Sequence, residues 1–261
     1  MDVNTLCYVV GSAMVFENLN TRDREYILGL DEGGVSAMTI HPSKEYFAVA
    51  GRGHRPRVFI YTYPEKEIIK ILENGAERAY SSLNFNAAGT KLATVSEAPD
   101  YLLTVWHWTT ESISLHCKAF GQDVTMVKFS KDDDRRLTTS GTGHIRFWKM
   151  ASTFTGLKLQ GYIGKFGKVD LSDIAAFTEL PDGKVVSGSE TGALLLWEGN
   201  FIKCRFTRHD PNSPRSEVSP RSRYSIIKSP RSQKILPHSG EVTYLDHDRE
   251  ENCIITAGMD G

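Results

Sequence analysis

The 261-residue sequence has no run of about 18 consecutive apolar residues, which excludes a membrane-spanning helix. Its opening stretch, "MDVNTLCYVVGSAMVFENLN", has neither a basic start nor a clean apolar core, so a secretory signal is not expected there. Cysteine is scarce. Cys7, Cys117, Cys204 and Cys253 lie far apart and form no C-x-x-C pair. Zinc and dithiol redox sites need close pairs, because two ligands must reach one ion or one partner sulfur. Reduced thiols in a cytosolic-type compartment are therefore expected. Charge of one sign is lacking too: 31 Lys and Arg stand against 32 Asp and Glu, for a net charge of −1.

Motifs of catalysis are also missing. No G-x-x-x-x-G-K-[ST] loop occurs, and the bare G-x-G pieces "GRGH" (51–54) and "GTGH" (141–144) open no helix that could hold a phosphate. The eight histidines are scattered without H-E-x-x-H or other paired spacing, and G-x-S-x-G is absent. His144, beside Gly143, reads as a turn or strand-edge residue rather than a general base. "DDD" (132–134) precedes Arg135 and Arg136 and reads as a solvated turn. No catalytic, cofactor-binding or metal residue is assigned, and the chain is not expected to be an enzyme.

What is present is a repeat. Apolar runs end on an aromatic in "GSAMVF" at Phe16, "RVFIY" at Tyr61, "LLTVW" at Trp106, "HIRFW" at Trp148 and "ALLLW" at Trp197, steps of 45, 45, 42 and 49 residues. Second runs close on small residues: "FAVAG" (47–51), "LATVS" (92–96), "LTTSG" (137–141), "VVSG" (185–188) and "IITAG" (254–258). Before these come "VSAMTI" (35–40), "YSSLNF" (80–85), "VTMVKF" (124–129), "DIAAFTEL" (173–180) and "VTYLDH" (242–247). "HPSK", "NAAGT", "KDDD", "PDGK" and "DREEN" separate them with residues that reverse a chain. A more variable outer strand follows, such as "EIIKIL" (67–72) or "SISLHC" (112–117).

A period near 40–45 residues with four strands per unit is the signature of an all-β, WD40-type propeller. About five to six blades are visible in residues 1–261, each of four antiparallel strands, and the count is incomplete. Tyr61, Trp106, Trp148 and Trp197 mark the repeats; Gly143 and Gly192, five residues before their tryptophans, supply turns that need φ > 0. The blades are degenerate. "WD" never occurs, the Gly-His opening is missing from most blades, and "PHSGEV" with His238 comes nearest to one. Asp123 and Asp173 fall where a turn-bracing aspartate is expected. The chain stops at "TAGMDG", so it is expected to be a fragment of a longer protein, unless residues 1–17 supply the missing outer hairpin.

Small-residue marks Ser187 and Ala257 lie 70 residues apart, and the excess holds "SPRS" three times, starting at Ser213, Ser219 and Ser229. Residues 205–237 are expected to form a disordered basic Ser/Pro/Arg-rich loop between blades; its stretch 213–234 has six Lys and Arg against one Glu. Three roles stay open: none, phosphorylation at Ser213, Ser219 and Ser229, or contact with an anionic polymer such as an acidic tubulin tail or nucleic acid.

Residues 137–203, with "SGTGHIRFWKMA", "TFTGLKLQG", "LSDI" and "ELPDGKV", and the closing "TAGMDG" resemble the WD-repeat cilia- and flagella-associated proteins. The resemblance covers roughly 1–204 and 238–261, and the SPRS insertion departs from it. It implies a large axonemal protein, with propellers followed by long coiled coils, in the tether complex that restrains the inner-arm dynein motor domain. It implies a non-catalytic protein scaffold in the ciliary or flagellar axoneme. The implied partners are axonemal, dynein-associated proteins, among them a paralogous WD-repeat cilia protein, with no nucleic acid, membrane or cofactor. The alternatives are a WD40 adaptor in trafficking or ubiquitin ligation and, less favoured, an enzyme on a propeller.

Overall fold

A computed structural model describes residues 4–28, 33–208, 224–226 and 236–260. Thr5–Val10 (β1), Ala13–Asn18 (β2) and Arg24–Ile27 (β3) form a three-stranded antiparallel sheet in chain order. Val35–Ile40 (β4), Tyr46–Gly51 (β5), Val58–Thr62 (β6) and Ile68–Leu72 (β7) form a four-stranded meander. Tyr80–Phe85 (β8), Leu92–Ser96 (β9), Leu102–His107 (β10) and Ser112–Lys118 (β11) form the next, with a single 3-10 turn at Trp108–Thr110. Val124–Phe129 (β12), Arg136–Gly141 (β13), His144–Thr153 (β14) and Gly156–Ile163 (β15) make a third. Ala176–Glu179 (β16), Val185–Gly188 (β17), Leu194–Glu198 (β18) and Phe201–Arg208 (β19) are joined by Tyr224–Ile226 (β20) in a five-stranded sheet. Val242–Asp248 (β21) pairs with Cys253–Gly258 (β22).

Serial antiparallel sheets of four strands are the repeating element of a β-propeller, and the strands fall at the apolar runs of the sequence. The second strands β5 and β9 are buried along almost their whole length, as strands covered on both faces must be. The hairpins β4–β5, β8–β9, β16–β17 and β21–β22 end on a positive φ, at Lys44, Gly89, Gly183 and Asn252. Turn chemistry rather than apolar patterning sets those reversals.

Two irregularities recur. The ladder between third and fourth strands slips between Ile60 and Tyr61, between Val105 and Trp106, and between Leu196 and Trp197, each time because one extra residue, Ile69, Ser114 or Lys203, stands on the fourth strand. First strands slip at their second residue, at Ser36 and Ser81. The hydroxyl of Ser36 bonds back to the Gly51 carbonyl at 2.8 Å and that of Ser81 to the Val95 carbonyl at 3.3 Å. A bulge re-aims one side chain while the rest of the ladder is kept.

The chain divides into two compact units, Met1–Thr139 with Trp148–Gln160 and Ser140–Phe147 with Gly161–Gly261; strands β13–β15 contribute residues to both. In the first unit, apolar clusters fill the spaces between successive sheets. Met14 and Phe16 meet Phe47 and Val49; Ala48 and Ile60 meet Tyr80, Phe85 and Trp106; Val95 and Val105 meet Val127, Leu137 and Trp148. In the second unit, Ala176, Val186 and Leu194 meet Val242 and Leu245.

Residues 205–208, placed in the inserted loop by composition, continue strand β19, and 224–226 pair with it. Most of the 205–237 segment, with Ser213, Ser219 and Ser229, lies outside the described residues. The extension "ASTFTG" after Trp148 is strand and turn: β14 runs on to Thr153 and turns through a fully exposed Phe154 into β15.

A tight contact near the first hairpin gives a stability test. His41 Nε2 lies 2.9 Å from the Gly89 carbonyl oxygen, which also accepts the Trp108 indole N–H at 2.7 Å. The His41 ring sits edge-on to Tyr46, Phe85 and Trp108. At Gly89 φ is +71°, and a Cβ there would fall 2.1 Å from His41 Nε2. Gly89→Ala is expected to lose about 2–4 kcal/mol of unfolding free energy in urea titrations. Gly199→Ala, at φ +60° in open space, should lose about 1 kcal/mol.

Candidate functional site

The aromatic repeat marks occupy one recurring position, the third strand of a sheet. Trp106 donates its indole N–H to Thr94 Oγ1 at 3.1 Å, Trp148 to Thr139 Oγ1 at 2.9 Å and Trp197 to Ser187 Oγ at 2.9 Å. Each acceptor is a fully buried hydroxyl on the neighbouring second strand. Tyr61, in the same place on β6, stacks on Phe47 with ring centroids 5.1 Å apart and planes within 7°. These residues are core, and none faces an opening where chemistry could occur.

The marked glycines sit in turns. Gly143 has φ +63°, and its N–H donates to Asp173 Oδ1 at 2.8 Å, the bracing contact expected of that aspartate. Asp123 instead accepts from the Tyr101 hydroxyl, and burial together with this carboxylate pushes the Tyr101 phenol up. Gly192 has φ +82°, and a Cβ there would lie 2.1 Å from the His238 carbonyl oxygen. His144 is fully buried and is the first residue of β14, directly after the turn at residues 142–143. Its Nδ1 lies 3.1 Å from the Thr142 carbonyl, and burial holds its pKa down. In the "DDD" turn, Asp133 accepts from the Arg135 N–H and from Arg136 Nε, at 2.9 and 3.1 Å.

His238 belongs to a network that includes an acid not singled out in the sequence. Its Nδ1 donates to Asp260 Oδ1 at 2.7 Å, its Nε2 is 2.9 Å from Thr256 Oγ1, and the Ser239 N–H donates to Asp260 Oδ2 at 2.8 Å. These bonds tie the connection before β21 to the turn after β22. The acid follows the small-residue run that ends β22, so "TAGMD" carries a positional signal for it.

A further polar site is a cleft of about 580 Å³ in the first unit, lined by Arg52, His54, Arg78 and Glu97 among others. Arg52 follows β5, Arg78 lies between β7 and β8, and Glu97 follows β9. Main-chain bonds lace these connections: Gly53 N–H to Arg78 O, Arg55 N–H to Glu77 O and Glu97 N–H to Ala79 O, all at 2.9 Å. Arg52 Nη2 meets Glu97 Oε1 at 2.9 Å in a half-exposed ion pair. In the sequence "GRGH" (51–54) reads only as a bare G-x-G piece, because nothing local links Arg52 to Arg78 and Glu97.

Among the described residues, no group of three or more His, Cys, Asp or Glu converges on a possible metal position, and no helix is long and apolar enough to cross a membrane. Burial pushes the Cys7 thiol up to about 11, which keeps it from acting as a nucleophile near neutral pH.

Two tests follow from this geometry. Thr94→Val leaves the buried Trp106 N–H without its acceptor and is expected to lower stability by about 1–3 kcal/mol in urea denaturation, whereas Thr94→Ser should keep most of it. The Asp260 carboxyl is held down from 3.8 to about 2, first by the Ser239 N–H and then by His238. A lowered acid stabilises the fold above its unfolded pKa, and that contribution fades as pH falls through the folded one. The stability difference between wild type and Asp260→Asn should therefore shrink between pH 3.8 and about 2. Thermal melts across that window check it; a constant difference would remove the assigned role of Asp260.

No family model matches the chain. Its β-propeller architecture is shared with a solved structure, the Cps50 (Swd1) β-propeller domain of Myceliophteria thermophila, at TM-score 0.65 and 12% identity over 87% of this chain and 62% of that one. Proteins named cilia- and flagella-associated protein 44 are much more similar in sequence. The mouse protein is 45% identical over 100% of this chain and the Chlamydomonas reinhardtii protein 53% identical over 80%. The Trypanosoma brucei brucei protein is 36% identical over 100%. A 77 kDa echinoderm microtubule-associated protein of Lytechinus variegatus is 27% identical over 75% of this chain and 30% of its own length. The chain spans only 13%, 12% and 15% of the three cilia-associated relatives. Over these 261 residues, the chain belongs to the cilia- and flagella-associated protein 44 family, and with it among ciliary and flagellar proteins.

Proposed function

We propose that this chain is a non-catalytic propeller scaffold of the ciliary and flagellar axoneme. Its task is to hold protein partners in the tether complex that restrains the inner-arm dynein motor domain. The observation that carries the axonemal part is the identity of 36–53% to proteins of that name from a mouse, an alga and a trypanosome, over 80% or more of the chain. The match to an echinoderm microtubule-associated protein favours a cytoskeletal setting over trafficking or ubiquitin ligation.

The geometry supports a scaffold. Its conspicuous aromatics are spent in the core, bound to hydroxyls of adjacent strands. Connections between strands project from that rigid base and carry the exposed charge, which is how such a fold presents binding groups. Partners in this reading are axonemal, dynein-associated proteins, including a paralogous WD-repeat protein. The basic insertion at 205–237 is a further surface in the proposal, with Ser213, Ser219 and Ser229 as its phosphorylation sites.

Tagged full-length protein should remain on axonemes after detergent extraction; a wholly soluble cytoplasmic signal would sink the axonemal reading. In cells lacking the protein, cryo-electron tomography should show the inner-arm dynein motor domain displaced while the dynein remains bound. A motor domain in its wild-type position would remove the tether role and leave the scaffold.

A further inference from the structure

The cleft between the connections that follow β5, β7 and β9 has a chemical bias. The "RGHRPR" connection places Arg52, Arg55 and Arg57 within six residues, and Arg78 comes from the facing connection. Arg52, His54 and Arg78 are exposed. Arg57 lies over the Phe59 ring, 4.9 Å from its centroid, which holds it at the side. Among the described residues the Arg78 guanidinium makes no hydrogen bond or ion pair. The backbone below is fixed by the main-chain bonds already described, and by Arg52 N–H to Gly34 O and Gly33 N–H to Arg52 O, at 2.9 and 2.8 Å. A Cβ on Gly33 would lie 2.5 Å from the Arg52 carbonyl oxygen, so that close approach needs glycine. The cleft is thus preformed, and only its side-chain tips must order on binding.

One carboxylate already occupies it. Glu97 sits on Arg52 in an ion pair whose side chains are 39% and 52% exposed. An exposed pair of this kind contributes little to stability, so an incoming carboxylate can replace Glu97 at small cost. The rim is not uniformly basic. Glu77 stands beside Arg78, and its N–H donates to Asp100 Oδ2 at 3.2 Å. A continuous phosphate backbone would meet those acids, whereas spaced carboxylates on a peptide can avoid them.

We propose that this cleft binds an acidic peptide segment of a protein partner, with one carboxylate taking the place of Glu97 on Arg52 and another held by Arg78. It rests on the scaffold reading only in requiring a protein partner. Peptide binding by purified protein and axonemal retention in cells can fail independently.

The test is fluorescence anisotropy of the whole chain with a labelled oligoglutamate peptide at low ionic strength, beside oligoglutamine and duplex RNA. Arg78→Glu and Arg52→Glu should each weaken oligoglutamate binding by at least about tenfold. Glu97→Gln removes the internal competitor and should tighten it by about two- to fivefold, a gain that an unfolded variant could not produce. Replacing Arg215, Arg221 and Arg231 together by Gln controls for the basic insertion and should change affinity by less than about twofold. The proposal is overturned if that triple variant abolishes binding while Arg78→Glu does not, or if oligoglutamine binds equally well. It is also overturned if duplex RNA binds more tightly with the same dependence on Arg78, which would make the cleft a polyanion site.

Discussion

A buried indole must find an acceptor for its N–H, and much of this fold is arranged around that need. Trp106, Trp148 and Trp197 are large enough to fill the space between two sheets, and each is nearly or fully removed from water. Burying the N–H unpaired would offset a large part of the gain from burying the ring. A Thr or Ser on the adjacent second strand supplies the oxygen in each case. That requirement explains why runs such as "LATVS", "LTTSG" and "VVSG" mix small hydroxyl residues into otherwise apolar strands. Opposite Trp106 and Trp197 the outer strand carries one extra residue, Ser114 or Lys203, a bulge that bends that strand.

Polar side chains are used again where one sheet meets the next. Within the first unit, the Tyr80 N–H donates to Ser36 Oγ at 3.3 Å, the Val127 N–H to Ser82 Oγ at 3.1 Å and the Phe129 N–H to Asn84 Oδ1 at 2.8 Å. Each joins the first strand of one sheet to the first strand of its neighbour. Within the second unit, Thr178 Oγ1 bonds Asp246 Oδ1 across the equivalent pair of strands at 3.4 Å. The apolar clusters between sheets hold them together without direction, while these bonds fix the register of one against another. Both faces of a typical sheet are consumed in this way. Exposed chemistry is left to connections and outer strands, where the exposed arginines and Phe154 are found.

The parts of this architecture legible from sequence are those whose physics is local or strongly periodic. Strands β4, β8, β9, β12 and β17 coincide with their apolar runs because those runs are bounded by turn residues on both sides. Gly143 and Gly192 could be placed in turns because a positive φ is a property of one residue. The exposed strands were harder. β3, "REYI", is polar and mostly exposed, and β15, "GLKLQGYI", alternates only weakly, since one side of such a strand faces solvent. β19 and β20 are hidden for a related reason: β19 pairs to β18 and β20 to β19 through backbone bonds, which make few demands on side-chain type. The role of Asp260 is not local, because its partners His238 and Ser239 are more than twenty residues away in the chain.

The cleft shows the same limit in sharper form. Arg52 and Arg78 come from different connections and are brought together only by main-chain bonds between them, for which the side chains leave no trace in the sequence. Nor does stability require these charges, because the Arg52–Glu97 pair is open to solvent and water already serves both partners well. The core of such a fold constrains its residues through volume and buried polar atoms; the connections are constrained chiefly in their backbone. Charge at these positions can therefore vary without cost to the fold, so its concentration in "RGHRPR" and at Arg78 is better explained by what approaches the cleft than by what lies beneath it.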